Sequence, residues 1–140
     1  MKKTFKKSQM NSRFNFVSYF FQLVAGVILV VAAFPKFAGA PESVALFNQL
    51  DIEGSRLLIA GLELFAALLL IFNYLPQIGA LVGFSVMLGA LLAHFTTLGI
   101  TVNGDGGFLF GMLSVVIASS IVVMWIHRTK LPLVGRTFLK

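Results

Sequence analysis

Ionisable residues stand inside or at the borders of otherwise apolar runs, and four of them are Lys36, Glu63, His94 and Asp105. A carboxylate or an imidazole in such surroundings is costly and by default suggests a functional role, such as passing a proton or holding a polar ligand. These four residues are therefore our candidates for binding a ligand or relaying protons. Glu63, His94 and Asp105 are also ligand types that zinc accepts, but nothing in the sequence sets their distances, and we predict no metal site.

Each of the four residues also has a purely structural interpretation. Glu63 could form an ion pair that holds two helices together, and His94 could bond to a backbone carbonyl or to Glu63. Lys36 could extend its ammonium group to the membrane interface. Asp105, in the turn Gly104-Asp105-Gly106-Gly107, could cap the helix that follows, because a carboxylate there bonds free N–H groups. The residues alone leave both interpretations open.

The composition indicates a protein that lies within a membrane. Of the 140 residues, 58% are apolar and only 11% are charged, against about 25% in soluble domains. Cysteine is absent, which excludes disulfides, thiol redox chemistry and thiolate metal sites. The two histidines, His94 and His127, lie far apart in the hydrophobic region, so we do not expect a bis-histidine haem.

The apolar runs predict an all-α integral membrane four-helix bundle. A membrane helix needs about 20 mostly apolar residues, and four segments satisfy this: about 16–34, 55–74, 77–98 and 107–126. We therefore divide the chain into a basic tail at 1–15, a transmembrane domain at 16–127 and a basic tail at 128–140. Within this arrangement Glu63 falls near the middle of span two, and the other three candidates lie towards one end of the bundle.

The links between spans predict an up-down-up-down order. Pro76 separates spans two and three, and the turn around Gly104 separates spans three and four, so neighbouring helices must be antiparallel. Pro35 should end or kink span one. The segment from Pro41 to Leu50 has helical spacing of its apolar residues and predicts a short interfacial helix in the first outer loop, or else a re-entrant piece of the bundle.

The basic residues predict the orientation. They flank the first and last spans as Lys2, Lys3, Lys6, Lys7 and Arg13, and as Arg128, Lys130, Arg136 and Lys140. The positive-inside rule then makes both termini cytoplasmic in a multi-pass protein of the cell inner membrane, with loops 35–54 and 99–106 facing out. We expect the first span to stay uncleaved, since its apolar run is longer than that of a signal peptide. The net charge of +6 thus reflects topology and predicts lipid, not nucleic acid, as the partner.

Stripes of small residues predict which helix faces pack together. Together with the polar residues on the same faces, these stripes consist of Gly26, Ala33 and Lys36 in span one; Arg56, Ala60, Glu63 and Ala67 in span two; Gly79, Gly83, Ala90 and His94 in span three; and Gly107, Gly111, Ser114 and Ala118 in span four. Because span three lies beside span two, we predict that Glu63 contacts His94, directly or through one water. Lys36 and Asp105 would border the same outward-opening pocket, whereas His127, Arg128 and Trp125 would form an interfacial belt.

Three segments together resemble the DoxX family of small four-span bacterial membrane proteins: "FPKFAGAPESVALFNQL", "GLELFAALLL" and "MLGALLAHFTTLGITVNGDGGFLF". The resemblance covers roughly Leu23 to Trp125 and falls on Lys36, Glu63, His94 and the Gly104–Gly107 turn. The family takes its name from a subunit of a thiosulfate:quinone oxidoreductase, and other members are linked to membrane-bound oxidative-stress complexes.

The resemblance implies a redox-associated membrane subunit that binds a quinol or a small anion in an outward-facing polar pocket. Such a chain has no covalently bound cofactor, has a quinone as one possible ligand, and is at most a non-catalytic or accessory subunit beside a possible oxidoreductase partner. One alternative is a small transporter that uses Glu63 and His94 as a relay and works as a homodimer. The other is a purely structural assembly subunit.

Overall fold

The computed structural model describes residues 2–131, with side chains from residue 11 onward. This part of the chain forms five α-helices and connecting turns, with no strand among its residues. The helices are α1 (Lys2–Ala38), α2 (Pro41–Gln49), α3 (Arg56–Ile71), α4 (Pro76–Ala93) and α5 (Phe108–Ile126). Short 3₁₀ turns occur at Glu53–Ser55 and Arg128–Lys130, and α4 continues into a π-helical turn at His94–Leu98.

Four segments of the described chain are long and apolar enough to cross a membrane, as predicted. They are Asn11–Ala38, Glu53–Ile71, Pro76–Leu98 and Phe108–Ile126, with mean hydropathies of 1.9 to 2.4. At most 33% of the most apolar window in each segment is buried inside the protein. The remaining apolar surface would be unstable in water and suits contact with lipid tails.

The long helices pack as a four-membered ring, in which α1 contacts α3 and α5, and α4 contacts the same two helices. This is the predicted up-down-up-down order. Close approach of α3 and α4 depends on Gly79, where an added Cβ atom would lie 3.0 Å from the Ala66 carbonyl oxygen and from two leucine side chains. The centre of the bundle is apolar and contains Ala25, Leu29, Ala66, Ala67, Leu70, Ala80, Val116 and Val123.

The small-residue stripes face inward on three helices but not on the fourth. Gly26, Ala60, Gly79 and Gly83 are buried, whereas Gly111, Ser114 and Ala118 of α5 are exposed. The prediction for α5 was therefore wrong. Its buried residues are Leu113, Val116, Ser119, Ser120 and Val123. Because α4 already supplies small residues, α5 can turn larger side chains towards it and still pack closely.

Pro35 does not end α1, which continues one turn further to Ala38. Lys36 is consequently part of a helix, and the backbone carbonyl of Lys36 accepts a hydrogen bond from Arg56 Nη1. The short helix predicted after Pro41 is present as α2, with Pro41 in its first turn. We call the end of the bundle that carries α2 and the 99–107 turn the cavity end, and the end with the 72–75 link the opposite end.

Several sequence-based predictions concern features that this structure does not address. Arg136 and Lys140 lie outside the described residues, as do the side chains of Lys2, Lys3, Lys6 and Lys7. The cytoplasmic location of both termini, the boundaries of the basic tails and the interfacial position of α2 therefore stay predictions.

Candidate functional site: a cavity at one end of the bundle

A cavity of about 810 Å³ lies at the cavity end, and all four predicted residues line it. Lys36 comes from the last turn of α1, Glu63 from α3, His94 from the end of α4, and Asp105 from the turn before α5. Helix α2 also lines the cavity, through Glu42, Ser43, Leu46 and Phe47, and Leu50 lines it just after the helix ends. The remaining lining is mostly apolar, including Ile28, Val31, Ile59, Met87, Ala90, Ala93, Met112 and Leu113.

Lys36 and Glu63 form a buried ion pair across the contact between α1 and α3. Lys36 Nζ lies 3.0 Å from Glu63 Oε1 and 2.9 Å from Oε2, and it also donates to the Ala32 carbonyl at 2.8 Å. An ammonium group has three donors, so these three bonds use all of them. The Lys36 side chain is 17% exposed and that of Glu63 only 2%. The two charges therefore neutralise each other inside the bundle.

The predicted direct contact between Glu63 and His94 is absent from the described part of the chain. Instead, His94 Nδ1 lies 2.6 Å from the carbonyl oxygen of Gly99. The π-helical turn brings this carbonyl back to the ring, and Gly99 permits the reversal because its φ is +74°. Such π turns recur at functional sites. His94 also packs edge to face against Phe110, with ring centres 5.5 Å apart.

This hydrogen bond assigns the proton on His94. A carbonyl oxygen only accepts, so Nδ1 must carry hydrogen, and in the neutral ring Nε2 is then an acceptor. Nε2 makes no hydrogen bond to the described protein atoms, and the ring lines the cavity. A ligand in the cavity could therefore donate a hydrogen bond to Nε2 of His94.

Asp105 holds the turn that leads into α5. Its Oδ1 accepts from the backbone N–H groups of Val102 (2.9 Å) and Gly107 (2.8 Å), and its Oδ2 from that of Leu109 (2.9 Å). The bond from Leu109 first, and those from Val102 and Gly107 next, hold the pKa of this carboxyl below its ordinary value. The predicted capping of α5 by Asp105 is confirmed.

The same contacts argue against a zinc site. Both Glu63 oxygens bond the Lys36 ammonium and both Asp105 oxygens bond backbone N–H groups, so a metal would have to displace several hydrogen bonds. Among the described residues, no three His, Asp or Glu side chains are placed to hold a metal ion together.

Sequence reasoning missed two features of the cavity end. Arg56 was placed only on the packing stripe of span two, yet its guanidinium donates a hydrogen bond to the Lys36 carbonyl near the end of α1. Phe47 of α2 is buried, at 4% exposure, so α2 is packed against the bundle and does not merely lie along it. Helical spacing in the Pro41–Leu50 segment predicted the helix but not the surface on which it docks.

The opposite end contains a second polar cluster, where His127 is more than part of an interfacial belt. Its Nε2 lies 2.9 Å from Ser18 Oγ, which accepts a bond from Gln22 Nε2 at 2.8 Å. Burial, and secondly the charge of Lys130, lower the pKa of His127. Trp125 and Arg128, by contrast, are exposed and stack on each other, with the guanidinium 4.9 Å from the ring centre, as expected of an interfacial belt.

Comparison with known protein families supports the assignment of this chain to a family. The family model described as DoxX matches residues 18–97, which is more than half of the chain and includes Lys36, Glu63 and His94. Searches of curated proteins and of solved structures found no match.

Proposed function

Since this chain belongs to the DoxX family and is a multi-pass membrane protein, we propose that it is a redox-associated subunit that binds a quinol in the cavity. The cavity volume of about 810 Å³ falls in the range of roughly 300–1,000 Å³ typical of small-molecule sites. Such sites are mostly apolar and contain a few polar groups that orient the ligand. A quinol, with an apolar ring and two hydroxyl groups, matches this chemistry.

The ion pair favours a quinol over a small sulfur anion. Lys36 is the one lysine or arginine among the described residues that line the cavity, and its three donors are already bonded. The lining also contains the carboxylates of Glu42 and Asp105. An anion would therefore meet negative charge without an available cation, whereas a neutral quinol would not.

His94 is the residue we assign to the quinol hydroxyl. In the tautomer required by the Gly99 carbonyl, Nε2 accepts a hydrogen bond, and a quinol hydroxyl donates one. Oxidation of a quinol to a quinone releases two electrons and two protons. The chain has no cysteine and no cofactor motif, so we assign the two electrons to an oxidoreductase partner subunit and the two protons to the water outside the cavity. His94 only orients the hydroxyl.

The proposal rests on one observation. In a mostly apolar cavity, all three donors of Lys36 are bonded, whereas Nε2 of His94 has no hydrogen-bond partner among the described protein atoms. The test of the proposal is binding of a short-chain quinol to the protein in lipid nanodiscs, with thiosulfate as competitor. Ala93→Phe should fill the cavity and weaken binding at least about tenfold, or 1.4 kcal/mol. Ala118→Phe places the same ring on the exposed face of α5 and should bind as the wild type does.

Two results would contradict the proposal. One is equal binding by the Ala93→Phe and Ala118→Phe proteins, which would place the quinol outside the cavity. The other is competitive displacement of the quinol by thiosulfate, which would show that the cavity accepts a small anion.

We further propose that the protein lies in the cell inner membrane with both termini cytoplasmic and the cavity facing outward. The support is the distribution of basic residues, since Arg13, Arg128 and Lys130 all belong to the opposite end. By the positive-inside rule that end faces the cytoplasm.

A further inference from the structure

A second pocket, of about 380 Å³, lies at the opposite end of the bundle, away from the cavity. Four elements line it: α1, the link before α4, the first residues of α4, and the segment that follows α5. Its residues are Asn15, Ser18, Gln22, Asn73, Tyr74, Leu75, Pro76, Gln77, His127 and Lys130. Because α4 begins and α5 ends here, the pocket lies at the level where phospholipid headgroups meet membrane-spanning helices.

One buried polar atom in this pocket lacks a partner among the described residues. Gln22 is 1% exposed, and its Nε2 donates to Ser18 Oγ, but its Oε1 accepts no hydrogen bond from this described part of the chain. Buried polar atoms in native proteins are nearly always bonded, and an exception calls for a bound water, ion or ligand. The missing group must be a donor, because Oε1 only accepts.

The charge around the pocket selects an anion. No lining residue is acidic, and Lys130 is a lysine with its side chain exposed. All five acidic residues of the chain are Glu42, Asp51, Glu53, Glu63 and Asp105, none of which lies at this end. The N-terminus of α4, which begins at Pro76, adds the partial positive charge of a helix start.

We propose that this pocket binds a phosphate group that carries a neighbouring hydroxyl or ammonium donor. The phosphate lies beside Lys130 and the start of α4, and the donor completes the hydrogen-bonded chain of Gln22, Ser18 and His127. Phosphatidylglycerol and phosphatidylethanolamine headgroups have both features, as does soluble glycerol phosphate. Phosphatidylcholine has the same phosphate but no donor, so it provides the chemical control.

Native mass spectrometry of the detergent-solubilised protein, titrated with short-chain lipids, tests this ligand chemistry. Phosphatidylglycerol and phosphatidylethanolamine should bind about tenfold more tightly than phosphatidylcholine. Equal affinities for the three lipids would overturn the proposal. Glycerol phosphate then distinguishes the sources: displacement of the lipid at comparable concentration indicates a soluble phosphate ligand, and retention of the lipid indicates a headgroup.

Two neighbouring basic residues provide a matched pair of variants. Lys130 lines the pocket, whereas Arg128 lies on the same turn but stacks on Trp125 outside it. Lys130→Gln should weaken phosphatidylglycerol binding about tenfold, and Arg128→Gln, with the same loss of charge, should leave it nearly unchanged. Equal losses would mean non-specific attraction of anionic lipid to this end and would overturn the proposal.

A third variant tests the role assigned to Gln22. Gln22→Met keeps the shape of the side chain and removes its amide, so the preference for phosphatidylglycerol over phosphatidylcholine should disappear. A retained preference would overturn the proposal. Since Gln22 is buried, the melting temperature of this variant must be measured as well, and if it does not fold, the comparison of Lys130→Gln with Arg128→Gln decides.

Discussion

The ion pair between Lys36 and Glu63 is the contact whose disruption should destabilise the bundle most. Removing one partner of a buried pair typically costs about 3–5 kcal/mol, because the other charge stays buried without compensation. In Lys36→Met the remaining carboxylate is 2% exposed, whereas in Glu63→Gln the remaining ammonium is on a side chain that is 17% exposed. We therefore expect about 5 kcal/mol for Lys36→Met and about 3 kcal/mol for Glu63→Gln.

The double variant separates the ion pair from ordinary packing. Replacing both charges of a buried pair by groups of similar volume is often neutral or stabilising. The protein with both Lys36→Met and Glu63→Gln should therefore lose less stability than either single variant. Two independent side chains would instead give losses that add.

Reversible unfolding in mixed micelles of increasing dodecyl sulfate content, followed by far-ultraviolet circular dichroism, measures these free energies. Glu53→Gln is the matched control, because it removes an exposed carboxylate at the same end of the bundle and should change stability by at most about 0.5 kcal/mol. The reasoning is refuted if both single variants cost less than about 1 kcal/mol and their effects add in the double variant.

Three further outcomes are expected. Asp105→Asn should be less stable than the wild type at neutral pH, and the difference in stability should vanish as the pH falls through the lowered pKa of Asp105, because such a carboxyl stabilises the fold only when ionised. A difference in stability that persists in acid would contradict this. Gly79→Ala should destabilise the protein by about 1–3 kcal/mol through overpacking, whereas Gly61→Ala should not, because nothing lies within 4 Å of the added Cβ. Equal losses of stability in thermal melts of the two variants would disprove the close packing of α3 on α4. Because the chain has no cysteine, single variants can report topology: a membrane-impermeant maleimide should label Thr101→Cys but not Tyr74→Cys in intact cells, and the reverse pattern would invert the proposed orientation.

Some features of the bundle follow from local sequence alone. Length and apolarity predict the spans, because each helix must satisfy its own backbone hydrogen bonds in lipid whatever its neighbours do. The capping by Asp105 is equally local, since its partners lie at Val102, Gly107 and Leu109. In a glycine-rich turn before an apolar helix, a single carboxylate has few hydrogen-bond partners other than the free N–H groups of the turn and of the start of the helix.

The sequence also predicted that Lys36, Glu63, His94 and Asp105 would lie near one another. Three of them fall at the same end of antiparallel spans, and charged groups turn away from lipid. These two constraints suffice to place the four side chains around one cavity, without any knowledge of how each is bonded.

The partner of Glu63, in contrast, was decided by tertiary structure. Pattern reasoning favoured His94 because span three lies beside span two, whereas Lys36 would have had to reach in from the end of span one. In the fold α1 continues past Pro35, and the side chain of Lys36 points back along the helix, as helical side chains do. His94 is meanwhile held by Gly99, through a π turn that no hydrophobic pattern reveals.

The orientation of α5 also depended on the whole bundle. This helix is apolar on every side, so its own sequence contains no preference for one face, and its small-residue stripe suggested the wrong one. Which face is buried depends on the surfaces that α1 and α4 present, with Gly83 against Leu29 and near Ser120. Local sequence determines that a helix crosses the membrane, but complementary side-chain volumes determine how it is rotated, because close packing is a property of several helices together.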